Sequence, residues 1–374
     1  MGVRMWVAFF LSIFSMPYHP PVRANTSKEQ TISIVFINPS HMSDPYWNLV
    51  TRLMSAAAHD LGIEFEVFYS NGDRFIAEQK VQKVIKEELK PDYLIAAFPP
   101  GMNENVFKLL NSSKIPLLTL EPIYVGQKME RAHPEERSFW YREYTVDQLF
   151  LATLLVDPFL KHIRERPEGY NSEAGVFGIT RYTDPLAIAR RDKVNQILME
   201  RSAKRLAVEH VTTQSKDLDV SLIENFRILL RRFPKIRYLW IEGPTTTGTF
   251  LDALHGYGHI RDELLISSYD PILENLSGLE AGLVVRLIGG QYVMAVCAIV
   301  DAFDERHSIK INALDKEDRY LQVVEGKSAR NYAIKLFQKD WEKLDFRQFS
   351  RFYATSPSGK AKKDCSNLKE YLDL

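Results

Sequence analysis

The sequence predicts an α/β protein: two doubly wound parallel-sheet lobes joined by a hinge of three chain crossings. Three observations lead there. Short apolar runs alternate with stretches of helical spacing along most of the chain. That beat fails once, between Glu121 and Tyr144, and then restarts. Strand and helix patterns are left over after the second run, enough to return the chain to each lobe. Alternating strands and helices imply parallel sheets with helices on both faces, and short unknotted connections limit how the pieces join. The expected first lobe takes residues 25–141 and 287–316, and the second takes 142–286 and 317–374.

Residues 1–24 read as a secretory signal peptide. Arg4 gives the positive start, Met5 to Met16 is a short apolar run, and Val22-Arg23-Ala24 offers a small-residue cleavage site. The run is shorter than the ~20 residues a spanning helix needs, and an uncleaved anchor is the alternative. Tyr292 to Val300 is also apolar but short, which suits a buried helix.

The first strand is Ile32 to Ile37, followed by a loop with His41, Ser43, Asp44, Pro45, Tyr46 and Trp47 and then a helix through Leu49, Leu53, Met54 and Ala57. Glu64 to Ser70 alternates like a strand, Asn71-Gly72-Asp73 turns the chain, and Ile76 to Leu89 has helical spacing. Tyr93 to Ala97 and Ile115 to Leu120 complete four strands, with a short helix at Asn105 to Leu110. The segment 121–144, charged and aromatic, reads as an elaborated crossover to the second lobe.

Helices are then expected at Val146 to Ile163, Pro185 to Met199, Leu218 to Arg232, Thr246 to Leu254 and Ile272 to Gly278. Strands are expected at Gly175 to Thr180, Arg205 to Val211, Arg237 to Ile241, Leu264 to Ser268 and Leu283 to Arg286. The tail adds a strand at Tyr320 to Val324 and a helix at Ala329 to Leu336.

The formal net charge is +0, and −2 without residues 1–24, which hold Arg4 and Arg23 and no acid. No basic excess is available for a nucleic-acid partner. Cys297 and Cys365 show no spacing pattern and are expected to be unpaired, although an exported chain would permit a bridge.

Ligands of open α/β sheets sit at the carboxyl ends of the strands. An aromatic pair beside a carboxylate suits a polar ring such as a sugar, whose faces stack while its hydroxyls donate to the carboxylate. Asp44, Tyr46 and Trp47 have that composition; the alternative is an ordinary loop with Trp47 in the core. Arg190 is either part of a solvated basic helix face with Arg191 and Lys193, or a guanidinium fork aimed at ligand oxygens. Arg286, expected to end an apolar strand, belongs at a cavity mouth or in a structural ion pair. Asp270 before Pro271 is a helix N-cap or a ligand acceptor, and Glu121 is a ligand acceptor or a hinge salt bridge.

Several short matches, in a shared order along the chain, resemble the type I periplasmic binding proteins, the ribose-binding and LacI-like group. Asp44-Pro45-Tyr46-Trp47 is similar to their Asn-Pro-Phe-Phe, Leu120-Glu121 to their Leu-Asp, and Ser268-Tyr269-Asp270 to their Gly-Phe-Asp. Ala189-Arg190 lies on the helix that carries a ligand arginine in that group, and Arg286 stands where sugar binders often have Gln. Within the group the chain is most similar to the LuxP-like autoinducer receptors, through Ser43-Asp44-Pro45-Tyr46-Trp47, Arg190-Arg191-Asp192 and Val285-Arg286-Leu287. Gly243-Pro244-Thr245 departs from the group's Asn-Asp, and Pro122 from a common Arg.

The resemblance implies a periplasmic receptor that binds a small sugar-like ligand at Asp44, Tyr46, Trp47, Glu121, Arg190, Asp270 and Arg286. It implies a membrane partner, either an ABC permease or a sensor kinase or cyclase, and no cofactor. Two arginines from separate segments imply a ligand with negative charge or many acceptor oxygens. No catalytic residues are expected: His41, Ser43 and Asp44 are neighbours on one loop, whereas triads converge from separate elements. His255 and His259 are separated by glycines and lack a third ligand, so no metal is expected. Gly289-Gly290 does not begin a phosphate loop.

Overall fold

The structure is a computed structural model. It describes residues 31–86, 89–165, 176–181, 184–201, 208–213, 218–234, 236–254, 264–309, 320–338, 340–354 and 365–373. The signal-peptide segment and the His255/His259 pair lie outside them.

The first lobe starts with strand β1 (Ser33–Asn38) and helix α1 (Pro45–Asp60). Then come β2 (Glu64–Tyr69), α2 (Arg74–Lys86), β3 (Tyr93–Ala96), α3 (Glu104–Ser113) and β4 (Leu117–Thr119). Strand β1 is buried on both faces, as central parallel strands are. Its Ile34 and Phe36 meet Leu49, Leu53 and Met54 of α1. Its Val35 and Ile37 meet Val81 of α2 and Phe107 and Leu110 of α3. Asp44 caps α1 by accepting the Trp47 N–H at 2.9 Å, and Pro45 follows in the first turn.

The segment expected to be an elaborated crossover, already counted in the first lobe up to residue 141, adds strands to that lobe. It forms a hairpin of β5 (Tyr124–Val125) and β6 (Glu130–Arg131), and then β7 (Trp140–Glu143) pairs parallel with β4. The aromatics explain the difference: Trp140 is buried and its Nε1–H donates to Thr119 Oγ1 at 3.1 Å. The sheet order is β2-β1-β3-β4-β7, all parallel.

The chain continues through α4 (Gln148–Glu165), β8 (Val176–Arg181), α5 (Pro185–Arg201), β9 (Val208–Thr213) and α6 (Leu218–Arg232). Next are β10 (Tyr238–Ile241), α7 (Pro244–Leu254), β11 (Leu265–Tyr269), α8 (Leu273–Glu280) and β12 (Val284–Gly289). The second sheet runs β13-β12-β11-β10-β8-β9. Without its last strand it repeats the order of the first. In both, the strand order reverses beside the lobe's first strand, and such switch points are where open sheets bind ligands.

Helix α9 (Gln291–Arg306) packs on α1, and β13 (Gln322–Val324) adds antiparallel to β12 before α10 (Gly326–Phe337). The turn into α9 needs glycine: Gly290 has φ +135° and a Cβ there would lie 2.0 Å from the Tyr320 carbonyl oxygen. The expected buried helix at Tyr292 to Val300 is the middle of α9, and every residue of it is buried.

The tail, expected wholly in the second lobe, reaches back to the first. The Phe346 N–H donates to Asp60 of α1 at 2.9 Å, and the Arg351 N–H donates to Asp304 of α9 at 2.8 Å. Cys297 and Cys365 form a disulfide with Cα atoms 5.2 Å apart, correcting the expectation that they are unpaired. Sequence spacing missed it because the fold, not the separation of 68 residues, brings the tail onto α9. A bridge closing so long a loop contributes about 2–4 kcal/mol. Reducing the native protein should therefore lower its urea midpoint by an amount worth about 2–4 kcal/mol. An unchanged midpoint, with two alkylatable thiols before reduction, would contradict the bridge.

Candidate ligand-binding cleft

Loops at the carboxyl ends of β1, β3, β4, β8, β10 and β11 meet around a cavity of about 310 Å³ between the two lobes. Six of the seven expected residues line it: Asp44, Tyr46, Trp47, Glu121, Arg190 and Asp270. The size is at the lower end of the ~300–1,000 Å³ usual for small-molecule sites.

From the first lobe, Trp47 is half-buried and stands edge-on to Tyr46, with ring centroids 5.3 Å apart. Tyr46 also packs on Tyr292 of α9 at 5.2 Å. The Tyr292 hydroxyl donates to the Pro271 carbonyl of the second lobe at 3.0 Å. The aromatic wall is thus braced from both lobes. Asp44 serves the helix cap and the cavity at once, and Ser40 Oγ donates to its other oxygen at 2.9 Å.

From the second lobe, Arg190 is buried. Its Nη1 donates to Glu242 Oε1 at 2.7 Å, its Nε to Gln148 Oε1 at 3.0 Å, and its guanidinium lies 4.8 Å from the centre of the Tyr269 ring. Burial opposes the charge of Arg190. Glu242 and the neighbouring Tyr269, Asp270 and Glu121 outweigh it and hold its pKa above the ordinary value. Asp270 is buried on a left-handed backbone (φ 53°), and its Oδ1 has no hydrogen-bond partner. Burial pushes the carboxyls of Asp270 and Glu121 up to about 7, with Arg190 pulling the other way. Neighbouring carboxylates add to the rise.

Arg286 does not join them, and its expected place at a strand end is corrected. Strand β12 runs on to Gly289, so Arg286 lies mid-strand, paired with Ser267 of β11. Its guanidinium donates to Glu325 at 2.5 Å, to the Leu154 carbonyl at 2.9 Å and to Asp157 at 3.5 Å. That is the structural ion pair, tying β12 to α4 and the start of α10.

Sequence reasoning missed Glu242, Asp184, Tyr124 and Gln148. Glu242 had a legible signal. It directly follows the buried run Tyr238 to Ile241, where a charge needs a partner. Strand β10 ends at Ile241 as expected, and Glu242 was passed over because the comparison motif was set on Gly243-Pro244-Thr245, one residue further along. Asp184, Tyr124 and Gln148 gave no pattern. Among the described residues no group of three or more His, Cys, Asp or Glu is placed to hold a metal.

No family model matches the chain, and no curated protein does. Solved structures do. A periplasmic sugar-binding protein from Pseudomonas fluorescens aligns with a TM-score of 0.68 at 19% identity, over 88% of this chain and 95% of that one. The fold is that of the type I periplasmic binding proteins. An ABC transporter periplasmic solute-binding protein from Actinobacillus succinogenes 130z, with bound D-allose, aligns with a TM-score of 0.65 at 14% identity, over 81% and 100%. A XylFII–LytSN complex aligns with a TM-score of 0.61 at 16% identity, over 80% and 99%.

The raised carboxyls give a pH prediction. A carboxyl whose folded pKa exceeds its unfolded value near 4 stabilises below pH 4, and that contribution is lost as pH rises to about 7. Asp270→Asn removes the ionisation. At pH 8 the ligand-free variant should be more stable than the parent by roughly 2–4 kcal/mol. Its melting temperature should also vary less between pH 4 and 7. A variant that is less stable at pH 8, with the parent's pH profile, would contradict the assignment.

Proposed function

We propose that the chain is a periplasmic solute receptor that captures a small, sugar-like ligand between its lobes and presents it to an ABC permease. One observation carries the reading. An aromatic wall on the first lobe faces carboxylates and a fixed guanidinium on the second, across one cavity at the strand ends. Such a cavity suits a hydroxylated ring, with faces for Trp47 and hydroxyls for Asp44, Glu121 and Asp270. The allose-bound relative supports the ligand class, and its transporter description supports the permease. The export signal read in residues 1–24 supports the compartment. We place the first hinge crossing between β7 and α4 and the second between β12 and α9. The third lies between α9 and β13, partly outside the described residues. Ligand would favour the closed arrangement of the lobes by bridging them.

A sensor reading remains as the second one. The short matches to LuxP-like receptors favour it. In that case the closed form would be read by a membrane kinase or cyclase instead of a permease.

A thermal-shift screen of monosaccharides should find a ligand, because a binder of the folded state stabilises it by mass action. With that ligand, Trp47→Ala should weaken binding by roughly tenfold or more in calorimetry. Arg286→Ala should bind like the parent. A silent screen, or a Trp47→Ala variant with the parent's affinity, would overturn the reading.

A further inference from the structure

The cleft is lopsided in charge. Five carboxyl groups line it, from Asp44, Glu121, Asp184, Glu242 and Asp270, against the single guanidinium of Arg190. That guanidinium is already committed to Glu242, Gln148 and the face of Tyr269. Asp44 accepts from the Trp47 N–H and from Ser40 Oγ. Asp270 is different. It is 8% exposed, lines the cavity, and leaves Oδ1 without a hydrogen-bond partner. A buried acceptor of this kind is costly unless something donates to it.

An anionic ligand fits this wall badly, because like charges at short range repel. With Arg286 outside the cleft, the argument for a negatively charged ligand from two arginines no longer holds. A neutral polyol can donate hydroxyls to the carboxylates but brings no charge. An ammonium brings one positive charge and three donors on a compact head. It would offset the crowded carboxylates and supply donors to the under-partnered Asp270 carboxyl.

We propose that the ligand is a hydroxylated ring or polyol bearing a protonated amine, with the ammonium received by Asp270 and Glu121. This rests on the reading of the cavity as the ligand site. The amine end lies towards Asp270 and Glu121, and the ring lies against Trp47. The groups around the ammonium are Asp44 and Tyr46 at the start of α1, Glu121 after β4, and Asp184 and Arg190 at α5. Glu242 follows β10, Tyr269 ends β11 with Asp270 just after it, and Tyr292 belongs to α9.

Binding is then linked to pH. In the empty cleft burial pushes the Asp270 and Glu121 carboxyls each up to about 7. A cation prefers both ionised, so its binding expels protons and its affinity rises as pH increases towards 7. A neutral sugar gains far less from ionisation.

The test is calorimetry on the mature protein with glucosamine, galactosamine and mannosamine, each beside its parent hexose and its N-acetyl derivative, at pH 5.5 and pH 7. At least one free amine should bind tenfold or more tightly than both of its neutral counterparts. Its affinity should rise roughly tenfold from pH 5.5 to pH 7. Asp270→Asn should erase the preference for the amine over the hexose; a circular dichroism melt checks that the variant folds. If a neutral hexose binds as tightly as its amine at pH 7, the inference is wrong and the sugar-receptor reading stands. If none of these compounds binds, both fall.

Discussion

The buried contact between Arg190 and Glu242 is the interaction on which the cleft depends. At 2.7 Å it joins the first turns of α5 to the end of β10, and Gln148 and Tyr269 bring α4 and β11 into the same contact. Four elements of the second lobe thus converge on one guanidinium. Neither charge is tolerable alone at that depth, because the desolvation of a single buried ion is not recovered without its partner. The pair therefore fixes the floor of the cavity before any ligand arrives. It also sets the electrostatics there: with Arg190 engaged by Glu242, the remaining carboxyls have no cation to themselves, and burial holds Glu121 and Asp270 near neutrality.

The first lobe contributes a rigid wall. Asp44 ends the loop after β1 as the cap of α1, which fixes where Tyr46 and Trp47 stand. Tyr292 presses on Tyr46 and reaches the second lobe through the Pro271 carbonyl. It lies in the first turn of α9, just after the Gly290 turn. The disulfide and Asp304 hold the tail against α1 and α9 on the first lobe.

Much of this was legible in the sequence, for identifiable reasons. Central parallel strands are apolar on both faces, so β1, β3 and β10 stand out as runs. The start of α1 was set too late, because Pro45, Tyr46 and Trp47 were read as loop although Asp44 caps the helix and Pro45 opens it. What failed depended on strand length or on distant packing. Arg286 was misplaced because β12 continues three residues past it to Gly289. Glu242 was missed although β10 ends at Ile241 as expected, because the motif was aligned one residue too far along, on Gly243. In a cavity built from strand ends, an error of three residues at the end of β12 is enough to move Arg286 from the lining to a structural ion pair. The bridge between Cys297 and Cys365 and the fifth strand, β7, are long-range or edge features that local periodicity does not carry.

The central claim is that Arg190 and Glu242 act as one unit, and a double-mutant cycle by chemical denaturation tests it most directly. Arg190→Met alone should cost roughly 3–5 kcal/mol, because it strands a buried carboxylate. Arg190→Met combined with Glu242→Gln should cost clearly less than the sum of the two single changes. Single effects that add to within about 0.5 kcal/mol would mean that the two residues are energetically independent, contradicting the account.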